Sequence, residues 1–379
     1  MSRRRKTRRE FLRTSGQIAA GAIIAGTGGE AVAMTQVETT AEAPAQTPDI
    51  LNYHPAMKYR RLGKTGLMLS EVSLGGHWKN RDGGRYWGNF GDEVVPEDVV
   101  ANRTEVMSKC IEVGINYLDI TTPAECLAYG AALKGRRESM YVGADNHILC
   151  PRNPKNRTVE ALRRDAETCI RQLGFDYLDI WRIQADMAGR HTDDELKRMV
   201  EAFTQLHDEG KVRHLGISSH KREFLEHVMQ TFPEIEMVIF PYTARSKTEE
   251  SGAGPGGADQ SKSIFATVKE CDVGVVTIKP FAGGSLFRIK AQFPVVEVGD
   301  EEEHELARLT IGYILENGSI TTTVPGMTTT HEVENNVRAS AERTAALTEP
   351  ARERLAQATD QMWEQLPKEY EWLREWEYV

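Results

Sequence analysis

From Met57 onward the chain repeats one pattern: a short apolar run, then a longer stretch with apolar residues at helical spacing. The runs that read as strands are 71–75, 115–119, 140–144, 177–182, 213–217, 236–240, 273–278 and 320–324. Helical periodicity falls between them, for example over 98–113, 157–173, 193–209, 221–231 and 302–316. Successive strands separated by helices pair in parallel, because a helical crossover returns the chain to the same edge of the sheet. Eight such units close on themselves, so the expected fold is α/β, a (β/α)8 TIM barrel. The competing open, doubly wound sheet lacks its main signature here, since no GxGxxG follows an early strand. Ahead of the barrel, "KYRRLGKTGLMLS" alternates around Lys64, Thr65 and Gly66, which predicts an N-terminal β-hairpin.

The start of the chain reads differently. Residues 1–33 combine a basic stretch, a short apolar run and a small-residue "AVA" ending at Ala33, the layout of a cleavable export signal. Within it "TRREFLR", Thr7 to Arg13, resembles a twin-arginine signal. That resemblance implies an exported protein, periplasmic or membrane-anchored facing the periplasm, with the twin-arginine export machinery as a partner. Residues 34–56, rich in Thr, Ala, Pro and Gln, read as a linker. The barrel is expected over 57–345 and a C-terminal helical tail over 346–379, ending in the aromatic and charged "QMWEQLPKEYEWLREWEYV". A packing role on the barrel is the expectation for that tail.

A net charge of −9, with no long basic run after residue 13, argues against nucleic acid as a partner. Five cysteines, Cys110, Cys126, Cys150, Cys169 and Cys271, show no metal-ligand spacing. Two long loops, one after the first strand and one after the sixth, lie on the face where barrel active sites sit. On the strand assignment, polar groups crowd that face: His77, Asp119, Glu125, Asp145, Asn146, His147, Arg182, Gln184, Asp186, His220, Tyr242 and Lys279. Two chemistries suit them. One is an acid/base or carbohydrate site, with Trp78, Tyr86 and Trp87 available to stack on a sugar. The other is a divalent cation held by His77, Glu125, Asp145 and His147; their spacing is no metal motif, so no metal is assigned.

Six segments together, "YRRLGKTGLMLSEVSLGG", "GINYLDIT", "CIRQLGFDYLDI", "GKVRHLGISSH", "KPFAGGSLF" and "VPGMTTTHEVENNV", resemble the aldo/keto reductase family over roughly 57 to 340. The resemblance implies a barrel with a hairpin under its base, and carbonyl reduction with a nicotinamide cofactor. It also implies a tetrad of Asp, Tyr, Lys and His at strand ends. Asp119 matches the acid, but Ala124 stands at the tyrosine position, Asp145 at the lysine and Gln184 at the histidine. Tyr129 falls in the helix that follows and is expected to pack there. At the implied cofactor positions Ser218, Gly326 and Asn336 are kept. Ser219 replaces an asparagine, Ile239 a glutamine, and Ile278 a stacking aromatic ahead of Lys279. Glu332 stands where a basic or amide residue is usual, which disfavours NADP by repelling a 2′-phosphate and leaves NAD open.

The catalytic candidates are therefore Asp119, Glu125, Asp145, His77, His147 and Gln184. The cofactor candidates are Ser218, Ser219, Tyr242, Lys279, Gly326, Glu332 and Asn336. The expected function is oxidoreduction of a small carbonyl or sugar substrate at a non-standard site. The alternative is a cofactor-free or metal-assisted sugar lyase or isomerase, or a carbohydrate-binding barrel.

Overall fold

The computed structural model describes residues 50–76, 94–246, 264–287 and 301–376. The export-signal segment 1–33, most of the linker, and the loop carrying His77, Trp78, Tyr86 and Trp87 lie outside the described residues.

Strands β1 (Tyr59–Arg61) and β2 (Met68–Ser70) pair antiparallel, Arg60 opposite Leu69. The turn between them puts Gly63 at φ +45°, where a Cβ would lie 2.3 Å from the Gly274 backbone nitrogen. Only glycine permits that approach. The hairpin thereby presses Leu62 and Leu69, both fully buried, against the base of the barrel.

The barrel strands are β3 (Leu74–Gly75), β4 (Tyr117–Ile120), β5 (Tyr141–Ala144), β6 (Leu178–Gln184), β7 (Val212–Ser218), β8 (Met237–Pro241), β9 (Gly274–Ile278) and β10 (Thr322–Val324). They run parallel in sequence order. A bridge from Val72 to Thr323, with Ser73 N donating to Thr323 O at 3.0 Å, joins the two ends. Each expected strand is present to within a few residues.

Side chains alternate in and out of the wall, as β geometry requires. Tyr117, Ile180, Met237, Ile239, Val276 and Val324 meet inside the barrel. The opposite faces pack beneath the helices: α1 (Glu97–Glu112), α2 (Pro123–Ala132), α3 (Val159–Leu173), α4 (Asp193–Asp208), α5 (Arg222–Thr231), α6 (Ile264–Cys271), α7 (Glu301–Glu316), α8 (Thr330–Ala346) and α9 (Glu349–Glu364). None of these helices is long and apolar enough to cross a membrane.

Two boundaries differ from expectation. Residues 50–56 do not behave as linker: Asn52 Nδ2 donates to Ile115 O at 3.0 Å and to Ser139 O at 2.6 Å, and so ties the segment to the barrel. The tail does more than continue as helix. After α9 a 3-10 segment, Lys368–Trp376, brings Tyr370 and Trp372 back towards the strand ends.

Candidate active site

β4 and β6 place the central charges. Asp119 and Arg182 both lie within these strands and are buried. Arg182 Nε sits 2.9 Å from Asp119 Oδ1, and its Nη1 3.5 Å from Asp145 Oδ1. Burial opposes the charge of Arg182, but the carboxylates of Asp119 and Asp145 outweigh it and raise its pKa. The Tyr117 hydroxyl, from inside the barrel, donates to Asp119 Oδ1 at 3.3 Å. Gly143 makes room for that ring, since a Cβ there would lie 2.2 Å from the phenol oxygen.

Asp145 directly follows β5 and carries a second chain of bonds. Gln184 donates to it twice, from its backbone nitrogen to Oδ2 at 2.7 Å and from Nε2 to Oδ1 at 2.5 Å. With its amide nitrogen committed to the carboxylate, Gln184 turns Oε1 outward, 3.2 Å from His147 Nδ1. An acceptor there favours a proton on Nδ1. Burial pushes the Asp145 carboxyl up to about 6, against the opposing pull of Arg182 and the Gln184 bonds.

Above this layer lie further cations. Lys279 follows β9 at φ +60°, a backbone region that non-glycine residues rarely adopt. Burial first, then the Arg152 and Arg182 guanidinium groups, lower its pKa to about 8. Its Nζ stands 5.5 Å from the Tyr370 ring centre and 5.9 Å from that of Trp372. Trp372 in turn stacks on His220 at 3.9 Å and 10°. Burial, helped by Lys279, drives the His220 pKa down to about 2, so the imidazole is neutral at pH 7. Tail and strand ends thus form one aromatic and cationic roof.

Of the sequence candidates, Asp119, Asp145, His147, Gln184 and Lys279 converge here. His77 is outside the described residues. Glu125 is committed elsewhere: its Oε2 accepts from Thr121 N at 2.7 Å and Thr122 N at 3.2 Å, closing a capping box on α2. Glu332 does the same for α8, accepting from Thr328 N and, at 3.0 Å, from Thr329 N. Tyr242 also departs from expectation. It packs edge-on against Phe265 of α6, in the layer between sheet and helices. Tyr129 is buried on α2 with its hydroxyl donating to Gly75 O at 2.7 Å, a packing role as expected. Among the described residues, no three His, Cys, Asp or Glu side chains group as metal ligands. Sequence reasoning missed Tyr117 and Arg152. The signal for Tyr117 was the Y-x-D spacing in "YLD", which sets both side chains on one face of β4.

The cofactor candidates can be tested against a nicotinamide dinucleotide. Ser218 ends β7 with its hydroxyl on Ile183 O at 3.4 Å, and Ser219 Oγ donates to Asp186 O at 3.0 Å. Gly326 is exposed with open space around it. Asn336, buried on α8, accepts weakly from Asn335 Nδ2 at 3.4 Å. Ile239 and Ile278 belong to the apolar barrel interior and offer neither amide nor ring. Glu332 Oε2 is already occupied by its own helix start. These residues do not fit a nicotinamide cofactor held by stacking, amide and ribose contacts of the implied kind.

The aldo/keto reductase family model matches residues 87–349, most of the chain. The chain belongs to the aldo/keto reductase family. Among its relatives are L-galactose dehydrogenase of Arabidopsis thaliana, 23% identical over 76% of this chain and 89% of that protein. The NADH-specific methylglyoxal reductase of Escherichia coli is also 23% identical, over 75% and 93%. Among solved structures, aldo-keto reductase AKR11C1 from Bacillus halodurans superposes with a TM-score of 0.56 at 22% identity, over 80% of this chain and 96% of that one. An aldo-keto reductase from Klebsiella pneumoniae in complex with NADPH gives 0.55 at 17%, over 82% and 96%. Structural likeness at this identity speaks for the fold. Positions 124, 145 and 184 carry Ala, Asp and Gln.

Proposed function

We propose that this chain is an exported aldo/keto reductase-family oxidoreductase acting on a small carbonyl or sugar substrate through a non-standard site. The observation that carries the reading is the chain Asp145, Gln184, His147 at the ends of β5 and β6. In oxidation of an alcohol, His147 takes the hydroxyl proton while the hydride on the same carbon passes to a two-electron acceptor such as the artificial one tested below; in reduction a two-electron donor supplies the hydride and His147 the proton. Gln184 and Asp145 are positioning residues: they fix the tautomer and stabilise the imidazolium formed. A positioned acid/base of this kind contributes about 10²–10⁴-fold. Asp119 and Arg182 hold the floor of the site in one electrostatic arrangement. The dehydrogenase and reductase activities named for the two relatives support a carbonyl or sugar substrate.

The test is turnover of a panel of hexoses and small aldehydes, read separately with NAD, with NADP and with an artificial electron acceptor. His147→Ala should lose activity, while Gln184→Leu should alter its pH profile more than its KM. Turnover unchanged in His147→Ala would overturn the assignment. Export is tested by fusing residues 1–33 to a folded reporter. Replacing Arg8 and Arg9 by lysine should block its passage, and passage at the original rate would reject the twin-arginine reading.

A further inference from the structure

The ladder between β5 and β6 ends below the mouth, with Gly143 opposite Ile180 and Ala144 opposite Trp181. Beyond it the backbone nitrogens after β5 alternate in direction. Asp145 N and His147 N donate towards β4, to Ile120 O at 3.3 Å and Thr121 O at 2.8 Å. Asn146 N, between them, donates instead to a side chain of α3, Asp165 Oδ1, at 2.8 Å. The other oxygen of that carboxylate accepts from Trp181 Nε1 of β6 at 3.0 Å. Asp165 is fully buried. It sits between Leu162 and Ala166 on α3, in the layer outside the barrel wall where Trp181 also packs. Two more bonds fix Asn146: its Oδ1 accepts from Ile148 N at 3.0 Å, and its Nδ2 donates to Gln172 Oε1 at 3.4 Å. Two carboxylates thus span the opening between the strands. Asp145 takes Gln184 N at 2.7 Å, and Asp165 joins Asn146 to Trp181. Asn146 lies between Asp145 and His147, and Trp181 three residues before Gln184. Without Asp165, two donors in the wall would lose their acceptor, which fixes its place tightly.

We propose that Asp165 is a positioning residue for the reaction at the mouth: from α3 it braces β5 against β6, and so sets the reach from Asp145 through Gln184 to His147. It touches none of the three relay side chains among its hydrogen bonds and acts through the Asn146 backbone and the Trp181 ring. A displacement of about 1 Å in such a relay is enough to cost two orders of magnitude in rate. The proposal rests on the acid/base role given to His147. It is read on the His147 ring and the Asn146 amide as well as by turnover, so its failure is distinct from failure of that role.

The experiment is nitrogen NMR of the histidine rings of the purified full chain, with amide hydrogen exchange and steady-state kinetics alongside. In the unaltered protein the Asn146 amide should exchange as slowly as the amides of β5. Asp165→Leu removes both acceptors at similar volume. It should lower the fraction of His147 protonated on Nδ1 and reduce kcat by roughly 10- to 100-fold with KM little changed. Asp165→Asn keeps one acceptor oxygen and should restore part of both. Leu162→Ala, a buried neighbour on the same helix, should lower the melting temperature but leave the His147 spectrum as it is. An unchanged His147 spectrum in Asp165→Leu would overturn the role. So would an Asn146 amide that exchanges freely in the unaltered protein, a result that needs no variant to fold. A His147 ring disturbed as much by Leu162→Ala as by Asp165→Leu would reduce Asp165 to packing and overturn it as well.

Discussion

At the residue scale, the site rests on a carboxylate whose ionisation costs more in the fold than in water. Asp145 titrates near 6 when folded, against an ordinary value of 3.8. Between those values the folded state binds more protons than the unfolded one, so this group's contribution to stability falls as pH rises from about 4 to about 6. The relay to His147 needs the ionised form, so turnover should rise across the same window. Melting temperature and kcat followed from pH 4 to 8 should therefore move in opposite directions through that range. Asp145→Asn should remove the inflection near pH 6 from both curves. An inflection that survives in that variant would assign it to another group. Asp119 differs, because its role is to balance Arg182. Arg182→Met leaves two buried carboxylates facing each other and should destabilise by roughly 3–5 kcal/mol. Chemical denaturation of the purified variant measures this.

At the element scale, two helices start with the same device. Thr122 with Glu125 opens α2, and Thr329 with Glu332 opens α8. Each glutamate satisfies backbone donors that helix geometry leaves unpaired. Thr329→Ala should cost about 1 kcal/mol, read as a lower denaturation midpoint with an unchanged slope. The C-terminal 3-10 segment is a second element with a clear task. Leu373 buries it in a cluster with Ala282, Leu286, Trp363 and Leu366, while Trp372 covers His220. Trp372→Ala should leave the fold intact but speed acylation of Lys279, measured by mass spectrometry after brief reagent exposure. Acylation at the wild-type rate would show that the ring does not shield the amine.

At the scale of the whole molecule, the barrel is anchored below by residues before its first strand. A chain beginning at Ile50 keeps the Asn52 bonds to Ile115 O and Ser139 O, whereas one beginning at Met57 loses them. The shorter chain should melt at a lower temperature in calorimetry. Much of the architecture was legible beforehand. The strands from 115–119 to 320–324 reappear as β4 to β10 because a parallel strand covered on both faces is a short apolar run bounded by polar turns. Helix α4, read as 193–209 and found as Asp193–Asp208, carries its own start and stop signals in Thr192 and Gly210.

The site was legible only in part. Aligned motifs located Asp119, Asp145 and Gln184, since position along a strand fixes which side chains reach the mouth. They did not locate partners that arrive from distant sequence. Arg182 pairing with Asp119, Trp372 covering His220, and the engagement of Glu125 and Glu332 by their own helix starts depend on where elements meet. The sequence by itself determined the alternation of strand and helix and the family. These are properties of residue type and spacing. Tertiary structure alone decided which charges are neutralised, which glutamates are free for chemistry, and what roofs the barrel. Those outcomes depend on distances and burial that closure of the sheet creates.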